Sequence, residues 1–182
     1  MMQSRHFGML IAILSLTIAT PAAAKNEKSW ATASDIGAYG LTAVALGIPI
    51  IEKDKHGALQ AAGSIVASEL VARGLKEAFP ELRPDGSDRK SFPSAHTSLA
   101  FAAASTLYNR QGGKVGIPAF AVAAFVGLAR VQADKHHWYD CVAGAGVGLA
   151  SGFLITRKAN QRVAVVPWGD SKGGGFSLAA RF

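Results

Sequence analysis

Three long runs without a charged residue, Ile36–Ile51, Val115–Ala129 and Cys141–Thr156, constrain this chain more than any other feature. Alanine and glycine recur through all three, so helices built from them can approach backbone to backbone. Two further stretches share that character, and together they predict five helices at about Ala31–Ile51, Gly57–Phe79, Thr97–Asn109, Val115–Val131 and His136–Thr156. The breaks EKDKHG, PELRPDGSDRKSFP, NRQGGK and QADK carry turn residues. Charged residues make up only 17% of the chain, against roughly 25% in ordinary soluble domains. The expected fold is all-α, an up-and-down bundle of about five helices. Each uncharged run is shorter than the roughly 20 residues of a transmembrane helix. Membrane span and buried helix of a soluble bundle both remain open on length.

The N-terminus carries Arg5, the apolar stretch Met9–Thr20 and then Ala22-Ala23-Ala24, the pattern of a secretory signal cleaved after Ala24. An uncleaved anchor is the alternative. The expected organisation is a signal peptide over 1–24, a helical domain over 25–160 and a tail over 161–182. In the tail, Val163–Trp168 and Phe176–Phe182 alternate like two short strands about a glycine-rich turn. The single cysteine, Cys141, excludes an intrachain disulfide and reads as a small core residue. The net charge of +7 suits anionic lipid or phosphate without choosing between them.

An up-and-down bundle alternates its connections between two ends. One end receives Lys53, Lys55, Arg110, Lys114, Arg157 and Lys158, which suits a cytoplasmic face. The other receives Pro80–Ser94 and Arg130–Lys135, and would face the periplasm. That second end collects three polar groups: Lys76 with Arg83-Pro84, then Pro93-Ser94-Ala95-His96, then Arg130, His136 and Asp140. Three cations placed together repel one another unless an anion lies between them. Arginine forks match phosphate oxygens in pairs, lysine adds a point charge, and the helix starting near Thr97 offers free amides. Ser94 can add a hydroxyl donor.

His136 and Asp140 are four residues apart, which on a helix places the carboxylate behind the imidazole. That pairing suits a nucleophilic histidine, and a second histidine, His96, suits the general acid for a leaving oxygen. His96, His136 and His137 could instead hold zinc, but Lys76, Arg83 and Arg130 make the site a better fit to an anion. No metal and no cofactor is expected, and His137 reads as a lip or packing residue. Asp134 is the expected cap of the last helix. Asp85, Asp88, Arg89 and Lys90 read as solvated loop charges. The chain has neither a glycine-rich nucleotide loop nor a Gly-x-Ser-x-Gly elbow.

In order and spacing, Lys76-x6-Arg83-Pro84, Pro93-Ser94-Ala95-His96 and Ala129-Arg130-x5-His136-x3-Asp140 resemble the type 2 phosphatidic acid phosphatase and vanadium haloperoxidase superfamily. The resemblance implies a metal-independent phosphatase on a helical bundle. His136 would be the nucleophile, Asp140 its orienting carboxylate, and His96 the acid. Lys76, Arg83, Ser94, the Ala95 amide and Arg130 would hold the phosphate oxygens. Two positions depart from the family pattern: Ala95 stands where it has glycine, and Ala129 where it has serine. Neither change removes a group with a chemical role. The expected substrate is a lipid phosphate monoester or pyrophosphate at the periplasmic face of the membrane, with no nucleic-acid partner. The competing expectations are a soluble periplasmic acid phosphatase, a vanadate-dependent haloperoxidase and a non-catalytic envelope protein that binds anions.

Overall fold

The computed structural model describes residues 26–157, 163–170 and 173–180. The expected signal peptide, over 1–24, lies outside the described residues. Five helices follow in chain order: α1 (Glu27–Ile51), α2 (Lys55–Ala78), α3 (Ala95–Gln111), α4 (Gly113–Gln132) and α5 (Trp138–Ile155). Two strands, β1 (Val163–Asp170) and β2 (Gly173–Ala180), pair antiparallel with Val163 opposite Ala180 and Asp170 opposite Gly173. The all-α bundle agrees with the sequence, and so does the pairing of two strands in the tail, although Gly173–Gly175, expected in the turn, lie inside β2.

Helix boundaries follow local chemistry. The Asn26 side chain accepts from Ser29 N at 3.2 Å and starts α1; Asp54 accepts from Gly57 N at 2.9 Å and starts α2. Only Gly112, at φ 80°, separates α3 from α4, and that backbone favours glycine. The last helix departs from expectation, because it begins at Trp138 and leaves His136 and His137 in the preceding turn. Asp134 is not its cap. It sits in the turn at φ 52°, and its carbonyl accepts from Asp85 N at 3.1 Å. The Asp140 carboxylate does the capping, accepting from His137 N at 2.8 Å.

Helix α3 is the axis of the bundle. Its residues Thr97, Ser98, Ala100 and Ala102–Leu107 are buried, with the other four helices packed around it. Against α5 the contact is nearly backbone on backbone. A methyl group at Gly144 would lie 2.4 Å from Ser94 O, at Gly148 2.3 Å from Ser98 O, and at Gly152 2.3 Å from Ser105 Cβ. Glycines at every fourth position form one groove on α5 into which α3 settles.

Small residues fill the interior and large ones cover the outside. The buried set is mostly alanine, serine and threonine, and Val126 is the largest fully buried apolar side chain among the described residues. Ile36 and Ile51 on α1, Leu59 and Leu70 on α2, Ile117 and Leu128 on α4, and Val142 and Leu154 on α5 all point outward. A bundle folded in water buries its bulkiest apolar side chains, because each is worth about 1.5–3 kcal/mol when removed from water. Here that gain is forgone. Glu27–Ile51, Gly113–Gln132 and Trp138–Ile155 are each long and apolar enough to cross a membrane.

Hydrogen bonds define two ends. At one, Arg110 pairs with Asp54 and donates to Arg157 O at 3.0 Å, while Asn109 Nδ2 donates to Thr156 O at 2.9 Å. At the other, Lys135 Nζ donates to Asp85 Oδ2 at 2.6 Å and Arg83 Nη1 to Lys135 O at 3.3 Å. The loop before α3 and the turn before α5 therefore meet. Asp85 and Asp88 are not solvated loop charges; both tie that end together.

Candidate active site

Four elements converge where those loops meet: the end of α2, the start of α3, the end of α4 and the start of α5. Lys76 comes from the last turn of α2. Its ammonium donates to Lys90 O at 2.8 Å, Ser91 O at 3.3 Å and Pro93 O at 2.5 Å, which accounts for all three of its protons. Lys76 thus holds the segment leading into α3 as well as placing a cation beside it. Burial, and then repulsion from Arg83, lowers its pKa to about 8. Arg83 is clamped by Asp88, with Nε 2.7 Å from Oδ1, and its side chain is mostly buried. Asp88 is itself held below the usual carboxylate range by that bond.

The Phe92-Pro93 bond is cis and Ser94 is the N-cap of α3. Ser94 Oγ accepts from Thr97 Oγ1 at 2.9 Å and Ser94 N donates to Asp140 O at 2.9 Å. Ala95 and His96 open α3, where first-turn amides have no intrahelical acceptor and the helix dipole is positive.

His136 is buried, 2% exposed, and burial lowers its pKa to about 4; the charges of Arg130, Lys76 and Arg83 add to the effect. Three cations acting on one imidazole is the electrostatic sign that the sequence groups have come together. The ring is neutral at neutral pH and keeps a lone pair. Its Nδ1 lies 3.7 Å from Asp140 Oδ2, so the two face each other across more than a hydrogen bond. Three buried nitrogens, Nε of Arg130 and Nδ1 of His136 and of His137, make no hydrogen bond among the described residues, and neither does Asp140 Oδ1.

Every sequence-derived site residue, His136, His96, Asp140, Lys76, Arg83, Ser94, Ala95 and Arg130, lies at this end. Two contributors were missed. Ser91 Oγ donates to Asp140 Oδ2 at 2.5 Å in a fully buried pair. Asp35, on α1, places Oδ1 2.9 Å from His96 Nε2 and 3.6 Å from Arg130 Nη1. The same Arg130 nitrogen donates to Ser34 Oγ at 3.3 Å. Ser91 stood two residues from the Pro-Ser-Ala-His stretch and could have been suspected. Asp35 lies far upstream and carries no local signal beyond being an acid in an apolar helix.

Glu81, His137 and Asp140 place ligand-type atoms within 4.8 Å of one another. Glu81 bonds the Tyr139 hydroxyl, while Asp140 accepts from Ser91 and from the His137 amide. The His137 ring stacks on Tyr139 with centroids 5.0 Å apart, which fits the packing residue expected from the sequence.

The profile of the PAP2 superfamily matches residues 57–164, more than half of the chain. The chain belongs to the PAP2 superfamily. Among PAP2 relatives, a lipid A 1-phosphatase of Porphyromonas gingivalis is 37% identical over 82 residues, which cover 43% of this chain and 18% of that protein. A lipid A 4'-phosphatase of Helicobacter pylori is 26% identical over 122 residues, covering 61% of this chain and 62% of the relative. Lipid phosphate phosphatase 2 of Arabidopsis thaliana is 34% identical over 98 residues, 46% of this chain and 32% of its own. The chain thus spans less than two thirds of each of these relatives. The PAP2 fold is shared with LpxE of Aquifex aeolicus (TM-score 0.59, 22% identity, 70% of this chain and 82% of that one). It is also shared with a transmembrane PAP2-type phosphatidylglycerolphosphate phosphatase of Bacillus subtilis (TM-score 0.58, 24% identity, 76% and 77%). Asp35 and Ser34 lie outside the matched residues 57–164, so α1 contributes to this site from beyond the family profile.

Proposed function

We propose that this protein is a membrane-embedded phosphatase that hydrolyses a lipid phosphate monoester or pyrophosphate through a phosphohistidine. The observation that carries the proposal is the buried, neutral His136 surrounded by three cations, with Asp140 behind it. An anion-binding protein without turnover needs the cations but neither the nucleophile nor the acid. The outward-facing large apolar side chains favour a membrane over a soluble periplasmic enzyme.

The phosphoryl group docks among Arg83, Arg130, Lys76, Ser94 and the first amides of α3. The His136 Nε2 lone pair attacks phosphorus while the bond to the leaving oxygen breaks, its electron pair staying on that oxygen. His96, protonated, donates its proton there. Asp140, facing the Nδ1 side, stabilises the positive charge that develops on the ring. Water then attacks the phosphohistidine, with neutral His96 taking its proton; the N–P bond breaks, releasing phosphate and restoring both histidines. Charge moves outward onto the equatorial oxygens in each step, where the fixed cations and amides are aimed. None of these steps requires a metal.

The catalytic end faces the periplasm in this proposal, because the opposite end carries Lys53, Lys55, Arg110, Lys114 and Arg157. The N-terminal segment, with its signal-like pattern, directs export. The decisive experiment measures phosphate release from a panel of lipid phosphates by wild type and by His136→Ala. The variant is expected to lose at least about a thousandfold in kcat. Undiminished turnover in His136→Ala would exclude the phosphohistidine route.

A further inference from the structure

The turn before α5 leaves one imidazole nitrogen unspent. His137 Nδ1 is shielded from solvent and makes no hydrogen bond among the described residues. It lies 3.4 Å from Asp140 Oδ2 and 3.7 Å from Glu81 Oε1, longer than an N–H···O bond in both cases. Asp140 Oδ1, in a side chain with no exposed surface, is likewise without a hydrogen bond. Ligand-type atoms of all three residues lie within 4.8 Å of one another. The three residues are also held in place. Glu81 O accepts from Ser91 N at 2.9 Å, the Glu81 carboxylate bonds the Tyr139 hydroxyl, and the His137 ring stacks on Tyr139.

Those separations are the ones a small tetrahedral cation requires. Zinc takes imidazole nitrogen and carboxylate oxygen at about 2.0–2.2 Å, so two such ligands at the tetrahedral angle stand about 3.4 Å apart. The His137–Asp140 distance matches that edge, and the His137–Glu81 distance exceeds it by only a few tenths of an ångström. Magnesium and calcium prefer all-oxygen shells of higher coordination, whereas an imidazole in the set suits zinc. Lys76 and Arg83 oppose a cation here, but neither occupies the two carboxylates. Lys76 is saturated by three carbonyls and Arg83 is clamped by Asp88, which leaves the negative charges of Glu81 and Asp140 to offset the metal. Glu81 and His137 are each about a third exposed, so an ion can reach them from solvent and keep water in a fourth position. We infer that Glu81, His137 and Asp140 bind a zinc ion, and that zinc held there inhibits turnover. Asp140 faces His136 Nδ1 at 3.7 Å and stabilises the charge that develops on that ring. Zinc on the same carboxylate withdraws that support and adds a cation beside His136, so the phosphohistidine forms more slowly. The ion sits behind the nucleophile and outside the phosphate cradle, so kcat falls while KM holds. The inhibition rests on the phosphatase reading; the binding of the ion does not.

The test uses the full chain in detergent micelles, stripped of metal with a chelator that is then removed. Zinc chloride is the probe, followed by titration calorimetry and by phosphate release from 4-nitrophenyl phosphate. Wild type is expected to bind one equivalent of zinc, with kcat falling in step with occupancy and recovering when chelator is added. KM should stay within about twofold. His137→Phe keeps a ring to stack on Tyr139 but offers no ligand atom, and Glu81→Gln keeps an acceptor for the Tyr139 hydroxyl. Each should weaken zinc binding, and raise the zinc concentration for half-inhibition, by at least about tenfold. Should His137→Phe not fold, Glu81→Gln carries the test. His56→Phe removes an exposed histidine at the opposite end and should leave both quantities within about twofold of wild type. Binding that is absent in wild type, unmoved in the folded site variants, or moved as far by His56→Phe overturns the inference and leaves the phosphatase reading standing. Binding without inhibition, or inhibition through KM alone, overturns the inhibitory role. A wild type that binds zinc through Glu81 and His137 but releases no phosphate from any ester supports the metal site and overturns the phosphatase reading.

Discussion

Replacing Asp35 by asparagine removes a charge from the second side of the site while keeping the shape of the side chain. Asp35 Oδ1 sits 2.9 Å from His96 Nε2, and the two side chains are 48% and 25% exposed. Burial lowers the His96 pKa, and the positive charge of Arg130 lowers it further; Asp35 opposes both. In the proposed mechanism His96 acts as the acid only when protonated, so its contribution is present at low pH and lost as pH rises through its pKa. Without Asp35 that loss begins at lower pH. A half-exposed ion pair of this kind is worth about 1 kcal/mol after solvent screening, which is about a fivefold drop in the protonated fraction above the pKa. The assay is the pH profile of kcat with a soluble phosphate ester. In Asp35→Asn the alkaline limb is expected to move towards acid, and kcat at neutral pH to fall by up to about fivefold. KM should not rise, because Arg130 also loses a competing carboxylate 3.6 Å away. An unmoved alkaline limb would mean that Asp35 does not hold the catalytic proton. A higher kcat would mean instead that the carboxylate occupies the place of the substrate anion.

Four further outcomes are expected. Since burial lowers the His136 pKa to about 4 and the proposed attack needs the neutral ring, kcat/KM should hold down to mildly acidic pH and fall as pH drops through about 4; an acid limb near neutrality would contradict this. Ser91→Ala leaves Asp140 without its 2.5 Å partner. It should cost about 1.5–3 kcal/mol of stability, read as a lower Tm, together with a reduced kcat; an unchanged Tm would remove Ser91 from the site's support. Gly144→Ala drives a methyl to 2.4 Å from Ser94 O, whereas Gly146→Ala meets nothing within 4 Å. The first should therefore lose at least about tenfold in kcat while the second stays near wild type, and equal effects would refute the tight α3–α5 seam. Phosphate release should persist undiminished after dialysis against a chelator, and loss restored by a divalent cation would contradict the metal-free route.

Much of the site was legible because its chemistry is bound to short, fixed spacings. Lys76 and Arg83 flank the end of one helix, Ser94 to His96 open the next, and Arg130 to Asp140 bridge the last two. Alternation of helix direction was enough to bring these segments to one end. The less legible parts depended on packing. The sequence reading starts α5 at His136, but the capping bond from His137 N to Asp140 places the helix start later and leaves His136 in a turn. Bounded by charged residues, the uncharged runs of the sequence are shorter than a membrane span. In the structure α1 extends through Asp35, whose charge is spent at the site, so the helix reaches 25 residues.

The linear order of residues by itself determined the helical class, the two ends of the bundle and the chemical groups available for phosphate. Those properties follow from local periodicity and from spacings within one or two turns, which survive any tertiary arrangement. Only the folded structure decided that small residues line the interior and large ones the outside. It alone supplied Asp35 from α1 and Ser91 beside Asp140, and set Glu81 against His137. These are relations between positions far apart in the chain, set by how closely glycine and alanine allow the helices to pack.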